Sequence, residues 1–226
     1  MLYDLTDKIS LIFSRKNRGK SWLARWLVDE SRSQFHSILV IAPSDLRFFW
    51  TGVAGESAVH QDYDEGLITS LIQHQRKRGK DGTLNADTKK ILVVFDDVLS
   101  EVNWKKRGPL LTLATSNRHY GIAILVISQS VSALPPVLRT NADYAFMLRV
   151  NSEGSRDLLY ADYGMGNKRS WMEALDSATK GYSAYVYDQQ NDSYSEVVAE
   201  DVPNSYRVPS RSRTAPQCRL KEGPVS

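Results

Sequence analysis

A phosphate-binding loop is the chemistry that the first thirty residues of this chain predict. An apolar run, Ile9 to Phe13, gives way to a polar segment that ends in Gly19-Lys20-Ser21 and opens an amphipathic helix. Backbone N–H groups at such a helix N-terminus can cradle phosphate oxygens, Lys20 would reach the β- and γ-phosphates, and the Ser21 hydroxyl would ligate Mg²⁺. The residues predicted to bind ATP are Ser14, Arg15, Lys16, Asn17, Arg18, Gly19, Lys20 and Ser21.

This loop departs from the usual pattern, G-x-x-x-x-G-K-[ST], in two ways. The pattern has glycine where this chain has Ser14, so serine would have to adopt a tight backbone geometry without the steric freedom of glycine. Arg15, Lys16 and Arg18 add positive charge inside the loop, which would either strengthen phosphate binding or indicate that partners must order the loop. A basic turn in front of a helix is the alternative interpretation of the segment.

An acidic pair at the end of a second apolar run supplies the carboxylates that a phosphate and metal site needs. The segment from Lys89 to Asp97 is Lys-Lys-Ile-Leu-Val-Val-Phe-Asp-Asp, which is typical of a buried parallel strand. The carboxyl ends of such strands form the ligand-binding edge of open α/β sheets. Asp96 would hold Mg²⁺ together with Ser21, and Asp97 would orient and polarise the attacking water. A strand that ends in a solvated acidic turn is the alternative.

An alternation of strands and helices must position these residues. Besides the two runs above, apolar runs predict strands at 37–42, 121–128 and 144–150, and helical spacing predicts helices at 20–33, 64–78 and 109–119. Residues 181–187 and 194–198 would pair as a hairpin, and the aromatic segment 45–50 would lie over the nucleotide or the sheet. We therefore expect an α/β P-loop NTPase fold, with a mainly parallel central sheet flanked by helices and a C-terminal β-hairpin.

Composition is consistent with one such domain. The chain has 226 residues, of which 42% are hydrophobic and 24% charged, so we expect a domain over residues 1–202. Residues 203–226 are rich in Ser, Arg and Pro without periodicity, which predicts a flexible basic tail. Cys218 is the only cysteine, which excludes an intrachain disulfide and a cysteine-based zinc site. We expect a reducing, intracellular setting, because we see neither a signal peptide nor an apolar run of the roughly 18 residues that a membrane span needs.

Local charge is stronger than the net charge of +3 suggests. Two short segments, Arg76 to Lys80 and Lys105 to Arg107, concentrate positive charge. Such clusters suit a polyanionic partner, and a solvated helix face is the alternative explanation of each one.

The segment from Ser116 to Asp143 carries a family resemblance. It has Arg-His before the fourth predicted strand, Ser-Gln after it, and then Leu-Pro-Pro-x-x-Arg-x-Asn-x-Asp. Together with the loop and Phe95-Asp96-Asp97, this order of motifs resembles the genome-packaging ATPases of the FtsK and HerA superfamily. The similarity is to those of tectivirus-type viruses with an internal membrane and of large eukaryotic DNA viruses. It implies the RecA-like and FtsK-HerA-like form of the P-loop fold.

The resemblance implies catalytic roles for three side chains besides Asp97. Gln129, just past the fourth strand, would hydrogen-bond both a γ-phosphate oxygen and a water, and so report the nucleotide state. Its alternative role is that of a polar residue at a strand end. Arg139 and Arg118 are both candidates for an arginine finger that reaches the γ-phosphate of a neighbouring subunit, and the sequence leaves open which of them does so.

An ATP-driven motor that moves double-stranded DNA into a preformed capsid is the function that the resemblance implies. Its partners would be the DNA duplex, held by the phosphate backbone, a homo-oligomeric ring for which a hexamer is one size, and proteins of a capsid vertex or membrane portal. It would act at the packaging vertex of the virion and in the host cytoplasm. The alternatives are a DNA helicase or conjugation-type DNA pump on the same fold, and a non-catalytic vertex protein with a degenerate nucleotide site.

Overall fold

The computed structural model describes residues 3–84, 90–99, 102 and 108–197. The strands are β1 (Ile9–Phe13), β2 (Phe35–Ile41), β3 (Val59–His60), β4 (Lys90–Asp96), β5 (Ile122–Ser128), β6 (Tyr144–Met147), β7 (Ala184–Asp188) and β8 (Ser193–Val197). They form one sheet in the order β3-β2-β4-β5-β1-β6-β7-β8. The pairings from β3 to β6 are parallel, whereas β7 and β8 add antiparallel to the β6 side as a hairpin. The carboxyl ends of six strands therefore lie along one edge.

Seven α-helices accompany the sheet in the described part of the chain. They are α1 (Lys20–Glu30), α2 (Arg47–Ala54), α3 (Glu65–Lys80), α4 (Pro109–Ser116), α5 (Pro136–Thr140), α6 (Glu153–Tyr163) and α7 (Lys168–Ala178). Short 3₁₀ turns lie at Arg32–Gln34, Ser44–Leu46, Glu56–Ala58 and Asn117–Tyr120. None of the helices in these ranges has the length and apolar character needed to cross a bilayer.

The helices bury both faces of the sheet, which explains why the central strands are almost wholly apolar. On one face, α1 and α2 contribute Trp22, Leu27 and Trp50 to a core cluster. On the other face, α3, α4, α6 and α7 pack residues such as Ile68 and Trp171 into a second cluster. Every residue of β1 and β5 is buried, as expected for parallel strands covered on both sides.

Polar residues mark the ends of several helices. The Asp64 carboxylate accepts a hydrogen bond from the Gly66 N–H at the start of α3, and the Asn167 side chain accepts from the N–H groups of Arg169 and Ser170 in α7. The last turn of α3 carries Lys77, Arg78 and Lys80, which the helix dipole favours. Part of the basic cluster at residues 76–80 therefore has a structural reason.

The structure confirms the predicted α/β fold with a mainly parallel sheet and a C-terminal hairpin. Three predicted elements are shorter than expected: α1 ends at Glu30, α4 ends at Ser116, and β6 ends at Met147. The two-residue strand β3 and the helices α2, α5, α6 and α7 were not predicted. The predicted tail at 203–226 and the basic cluster at 105–107 lie outside the described residues.

Candidate active site

The sheet brings the predicted loop and the acidic pair to one edge. Strand β5 lies between β4 and β1, so both motifs flank its carboxyl end. The Ser14 N–H donates to the Ser128 carbonyl across 3.2 Å, and the Asp97 N–H donates to the Ile127 carbonyl across 2.9 Å. The loop and the acidic pair are therefore anchored to the end of the same strand from opposite sides.

The loop ends as a helix N-terminus with open donors. Gly19 caps α1 with a φ of 84°, a left-handed conformation that suits glycine, and no side chain hydrogen-bonds to this cap. The first helical bond runs from the Leu23 N–H to the Gly19 carbonyl at 2.9 Å. The N–H groups of Lys20 and Ser21 therefore have no acceptor within the helix, and the first turn contains no acidic residue. Such an N-terminus favours an anion.

Ser14 does not have the backbone geometry that would require glycine. Left-handed φ angles among the described non-glycine residues occur at Asp7, Asn17, Asp97 and Asp192 only, so in the loop the strained position is Asn17, with a φ of 61°. Ser14 is buried, and its hydroxyl donates to the Arg15 carbonyl across 3.1 Å. The expectation that serine must replace a conformationally special glycine was therefore wrong for this position.

The Asp96 carboxylate is buried beside the start of α1. It has 0% exposure, and burial raises its pKa to about 6. A hydrogen bond from the Trp50 indole, the positive charge of Lys20 and the Ser21 hydroxyl oppose that shift, whereas the charge of Asp97 adds to it. Lys20 and Ser21 are thus close enough to the carboxylate to act on it electrostatically, as the sequence predicted.

One oxygen of this carboxylate is available for a ligand. Trp50 Nε1 donates to Asp96 Oδ2 across 3.0 Å, while Asp96 Oδ1 is buried without a hydrogen-bond partner among the described residues. A buried acceptor without a partner is costly unless a ligand satisfies it. Mg²⁺ is a hard cation that prefers oxygen ligands and is usually held by one or two carboxylates together with substrate phosphates. The predicted metal ligands Ser21 and Asp96 therefore fit this ion.

Asp97 is held in a strained conformation by Gln129. Its φ of 59° is left-handed, which is uncommon for a residue other than glycine. The Gln129 backbone N–H donates to Asp97 Oδ1 across 3.3 Å, and the Gln129 side-chain amide donates to Asp97 Oδ2. Two polar side chains are therefore joined at the open rim of the site, where a water and a γ-phosphate could reach both.

The two candidate finger arginines lie in different environments. Arg118 is at the opposite, amino edge of the sheet, in the 3₁₀ turn before β5, and its side chain is 65% exposed in an ion pair with Asp143. The seven residues of β5 span roughly 20 Å, so Arg118 cannot reach the loop of its own chain. An exposed arginine at this edge could act only on a neighbouring molecule.

Arg139 is buried instead. Its side chain is 7% exposed, its Nε donates to Asp162 Oδ2 across 2.5 Å, and a guanidinium N–H donates to the Leu134 carbonyl at the same distance. The Tyr163 hydroxyl donates to the Arg139 carbonyl across 2.9 Å, which fixes the backbone as well. These contacts hold α5 against α6, and in this conformation Arg139 is not presented to a neighbouring molecule.

Trp50 is a site residue whose role was not predicted. The aromatic segment around it was expected over the nucleotide or the sheet, but its hydrogen bond to Asp96 joins residues 46 positions apart in the chain. A tryptophan among the apolar residues of an amphipathic helix does not indicate, in the sequence alone, that its side chain has a polar partner. The indole N–H, which needs an acceptor when buried, is the one signal in the sequence.

No protein-family model matches the chain. Two relatives, both proteins of large DNA viruses, carry no functional description. One is uncharacterized protein L437 of Acanthamoeba polyphaga mimivirus, which is 25% identical over 193 residues, or 81% of this chain and 68% of the relative. The other is uncharacterized protein 015R of Frog virus 3, which is 23% identical over 82% of this chain and 58% of the relative. This chain therefore matches only part of each relative.

Solved structures with the same fold include viral packaging enzymes. The DNA-packaging ATPase B204 of Sulfolobus turreted icosahedral virus has a TM-score of 0.66 and 17% identity, and the match covers 85% of this chain and 98% of B204. The genome-packaging NTPase B204 of Sulfolobus turreted icosahedral virus 2, solved with AMPPCP, has a TM-score of 0.64 and 17% identity over 84% of this chain and 96% of that protein. This chain shares their P-loop ATPase fold.

A conjugation protein shares the fold as well. The pCW3 conjugation coupling protein TcpA, solved as a monomer with ATPγS, has a TM-score of 0.59 and 16% identity, and the match covers 85% of this chain and 60% of TcpA. The resemblance inferred from the sequence is thus confirmed at the level of the fold, for both the packaging and the DNA-transfer proteins.

Proposed function

We propose that this chain is an ATPase that drives double-stranded DNA into a preformed viral capsid. The observation that carries the proposal is the buried Asp96 carboxylate, whose Oδ1 has no partner among the described residues and lies beside the open N-terminus of α1. A carboxylate and a hydroxyl for Mg²⁺, and a lysine and a helix N-terminus for phosphates, form the set of groups that ATP binding requires.

The residues of the site have separate roles in ATP hydrolysis. The α1 N-terminus and Lys20 bind the β- and γ-phosphates, while Ser21 and Asp96 would hold Mg²⁺. The bound ion supplies positive charge that neutralises the phosphate oxygens. Asp97 accepts a hydrogen bond from the attacking water and orients it in line with the γ-phosphate. Gln129, which donates to Asp97, holds this carboxylate in place and contacts the γ-phosphate, so it changes partner when that phosphate leaves.

A ring of identical subunits completes this mechanism. Arg118 is exposed at the edge opposite the phosphate loop, so head-to-tail packing of subunits would bring it to the next molecule's γ-phosphate. A guanidinium at that position would stabilise the charge of the transition state. Its present partner, Asp143, would hold it ready until a neighbour arrives. A hexamer is one ring size to test.

Positive charge on α3 supports a DNA partner. Arg76, Lys77 and Lys80 are exposed at the C-terminal end of this helix, which lies near the amino edge of the sheet. Exposed lysines and arginines bind the phosphate backbone without regard to sequence, as a translocating motor requires. The basic segment at 203–226, outside the described residues, is proposed to dock on a capsid vertex or membrane portal protein. The viral relatives support a location at the virion vertex and in the host cytoplasm.

A conjugation-type DNA pump is the second candidate, because TcpA shares the fold. A helicase on this fold would separate strands, and a vertex protein with a degenerate site would bind no nucleotide. Strand separation and nucleotide binding therefore distinguish these alternatives from a packaging motor.

Steady-state ATP hydrolysis by the purified chain, with and without linear duplex DNA, tests the proposal. We expect turnover that DNA stimulates and that both Lys20→Ala and Asp97→Asn abolish, while the control Arg169→Ala, at an exposed residue on α7, retains it. Background hydrolysis together with ATP binding that depends on Lys20 would indicate a motor that needs its capsid partner. The absence of nucleotide binding would contradict the proposal and favour the vertex protein.

A further inference from the structure

An exposed aromatic ring lies against the cap of the phosphate-loop helix. Tyr182 lies two residues before the start of β7 and is 48% exposed. A Cβ atom placed on Gly19 would lie only 3.1 Å from Tyr182 Cδ1. The Tyr182 ring also packs edge-on with Trp22, with ring centroids 6.0 Å apart and an interplanar angle of 76°. The ring is thus fixed in place while about half of its surface is open.

The order of the strands determines which end of a nucleotide would reach this ring. Strands β5 and β4, which carry Gln129 and the acidic pair, lie on one side of β1. Strands β6 and β7 lie on the other side, and β7 starts at the carboxyl edge because it runs antiparallel to β6. The γ-phosphate must face Asp97 for hydrolysis. The nucleoside, at the other end of the triphosphate, therefore extends toward β6, β7 and Tyr182.

The segment that follows β6 lies on the same side of the loop. A cleft of about 740 Å³ opens between this segment, α6 and α7, and its lining includes Arg149, which follows β6, and Lys180, which precedes Tyr182 by two residues. The Leu148 N–H donates to the Phe13 carbonyl across 2.9 Å, so the segment that carries Arg149 is tied directly to the end of β1. The chain after β6 therefore lies beside the end of β1, on the side of the phosphate loop away from the acidic pair.

We propose that Tyr182 is the platform on which the base of the bound nucleotide stacks. This inference rests on the proposed ATP site, and it adds the part of the site that contacts the nucleoside. Stacking on an aromatic ring tolerates any base, because every base has a π face. The platform therefore accepts nucleoside triphosphates as a class, and it contributes to affinity without distinguishing ATP from GTP.

Calorimetric titration of the full chain in the presence of Mg²⁺ tests this role. The ligands are ATP, GTP and inorganic tripolyphosphate, which has the phosphates without a base. We expect Tyr182→Ala and Tyr182→Leu to weaken ATP and GTP binding by about tenfold, the effect expected from loss of one stacked base. Tyr182→Phe, which keeps the ring, should bind both nucleotides within about twofold of the wild type. Tripolyphosphate binding should be unchanged in all three variants.

Three results would overturn the inference in different ways. Unchanged ATP binding in both Tyr182→Ala and Tyr182→Leu would show that the base lies elsewhere. An equal loss of ATP and tripolyphosphate binding would show that the ring only supports Gly19 and the loop. If the wild type bound neither ligand in a manner that depends on Lys20, the proposed ATP site itself would fail, and the base platform with it.

Discussion

Trp50 donates a hydrogen bond from Nε1 to Asp96 Oδ2 across 3.0 Å, and both side chains are fully buried. The bond fixes the orientation of the carboxylate and leaves Oδ1 as the oxygen that can take a metal ion. It also ties α2 to the end of β4, so the helix and the candidate metal site cannot move independently.

Replacing Trp50 with Phe should weaken Mg²⁺ binding while the fold is kept. Phenylalanine retains most of the buried apolar surface but lacks the N–H. The Asp96 carboxylate therefore loses the hydrogen bond that orients it and that stabilises its charged form. We expect the Mg²⁺ concentration that supports half-maximal ATP binding to rise about tenfold, which is typical of the loss of a group that orients a metal ligand. A Mg²⁺ titration of nucleotide binding measures this.

Trp171→Phe is the matched control. Its indole also donates a hydrogen bond while buried, to the Tyr194 hydroxyl across 3.0 Å, but it lies in α7, on the other face of the sheet. Its Mg²⁺ dependence should equal that of the wild type. A similar shift in both variants would show that loss of a buried tryptophan, and not loss of the bond to Asp96, is responsible.

The raised pKa of Asp96 predicts how stability depends on pH. Burial raises this pKa to about 6 in the folded protein, above the value of about 3.9 in an unfolded chain. The folded state therefore binds the proton more tightly, and stability falls as the pH rises from about 4 to about 6. At pH values above this window the loss of stability amounts to roughly 3 kcal/mol. Asp96→Asn removes this loss, because asparagine carries no charge.

Thermal unfolding of the nucleotide-free protein in a chelator, followed across this pH range, checks the prediction. The asparagine variant should be more stable than the wild type at pH 8, and the difference should shrink toward pH 4. A difference that did not change with pH would mean that the charge of Asp96 is not the cause.

The positions of the strands and of the acidic pair could be predicted because they depend on local patterns. Continuous apolar runs identify β1, β4 and β5, and parallel strands bring their carboxyl ends together whatever the details of packing. Lys20, Ser21 and Asp96 therefore meet as expected. The contact of Trp50 with Asp96 could not be predicted in this way, because it depends on how α2 packs across the sheet.

Two other features were missed for different reasons. The helix α7 did have a signal, since Asn167 caps it and Trp171, Leu175 and Ala178 follow at helical spacing. The burial of Arg139 had none, because its partner Asp162 lies on α6 and the pairing follows from the packing of two helices. A motif alone could not distinguish this buried arginine from the exposed Arg118.

Gln129→Ala should slow hydrolysis far more than it weakens ATP binding. The substitution frees Asp97 from the amide that holds it, so the carboxylate no longer orients the water. We expect the rate constant for hydrolysis to fall about a hundredfold, as misplacement of a positioned group can cause. Gln190→Ala, in the turn between β7 and β8 at the opposite edge of the sheet, is the matched control and should keep full activity. Equal rates for the wild type and Gln129→Ala would exclude this role.

Mixing two inactive variants tests whether Arg118 acts on a neighbouring subunit. Arg118→Ala should bind ATP but not hydrolyse it, and Lys20→Ala should lack binding while it still presents Arg118. In mixed rings, an Arg118→Ala subunit can receive the arginine of a Lys20→Ala neighbour, so part of the activity should return. Arg169→Ala, whose side chain is 89% exposed on α7, is the control and should stay active alone. No recovery at any mixing ratio would contradict a finger in trans.

Displacement of a third strand from linear duplex DNA tests the central claim most directly, because only movement along the duplex can strip an oligonucleotide bound in its major groove. We predict that the wild type releases the third strand in a reaction that requires ATP and Mg²⁺, that the two duplex strands stay paired, and that Lys20→Ala releases nothing. ATP turnover without release, or separation of the duplex strands, would contradict the proposal that this chain is a motor for double-stranded DNA.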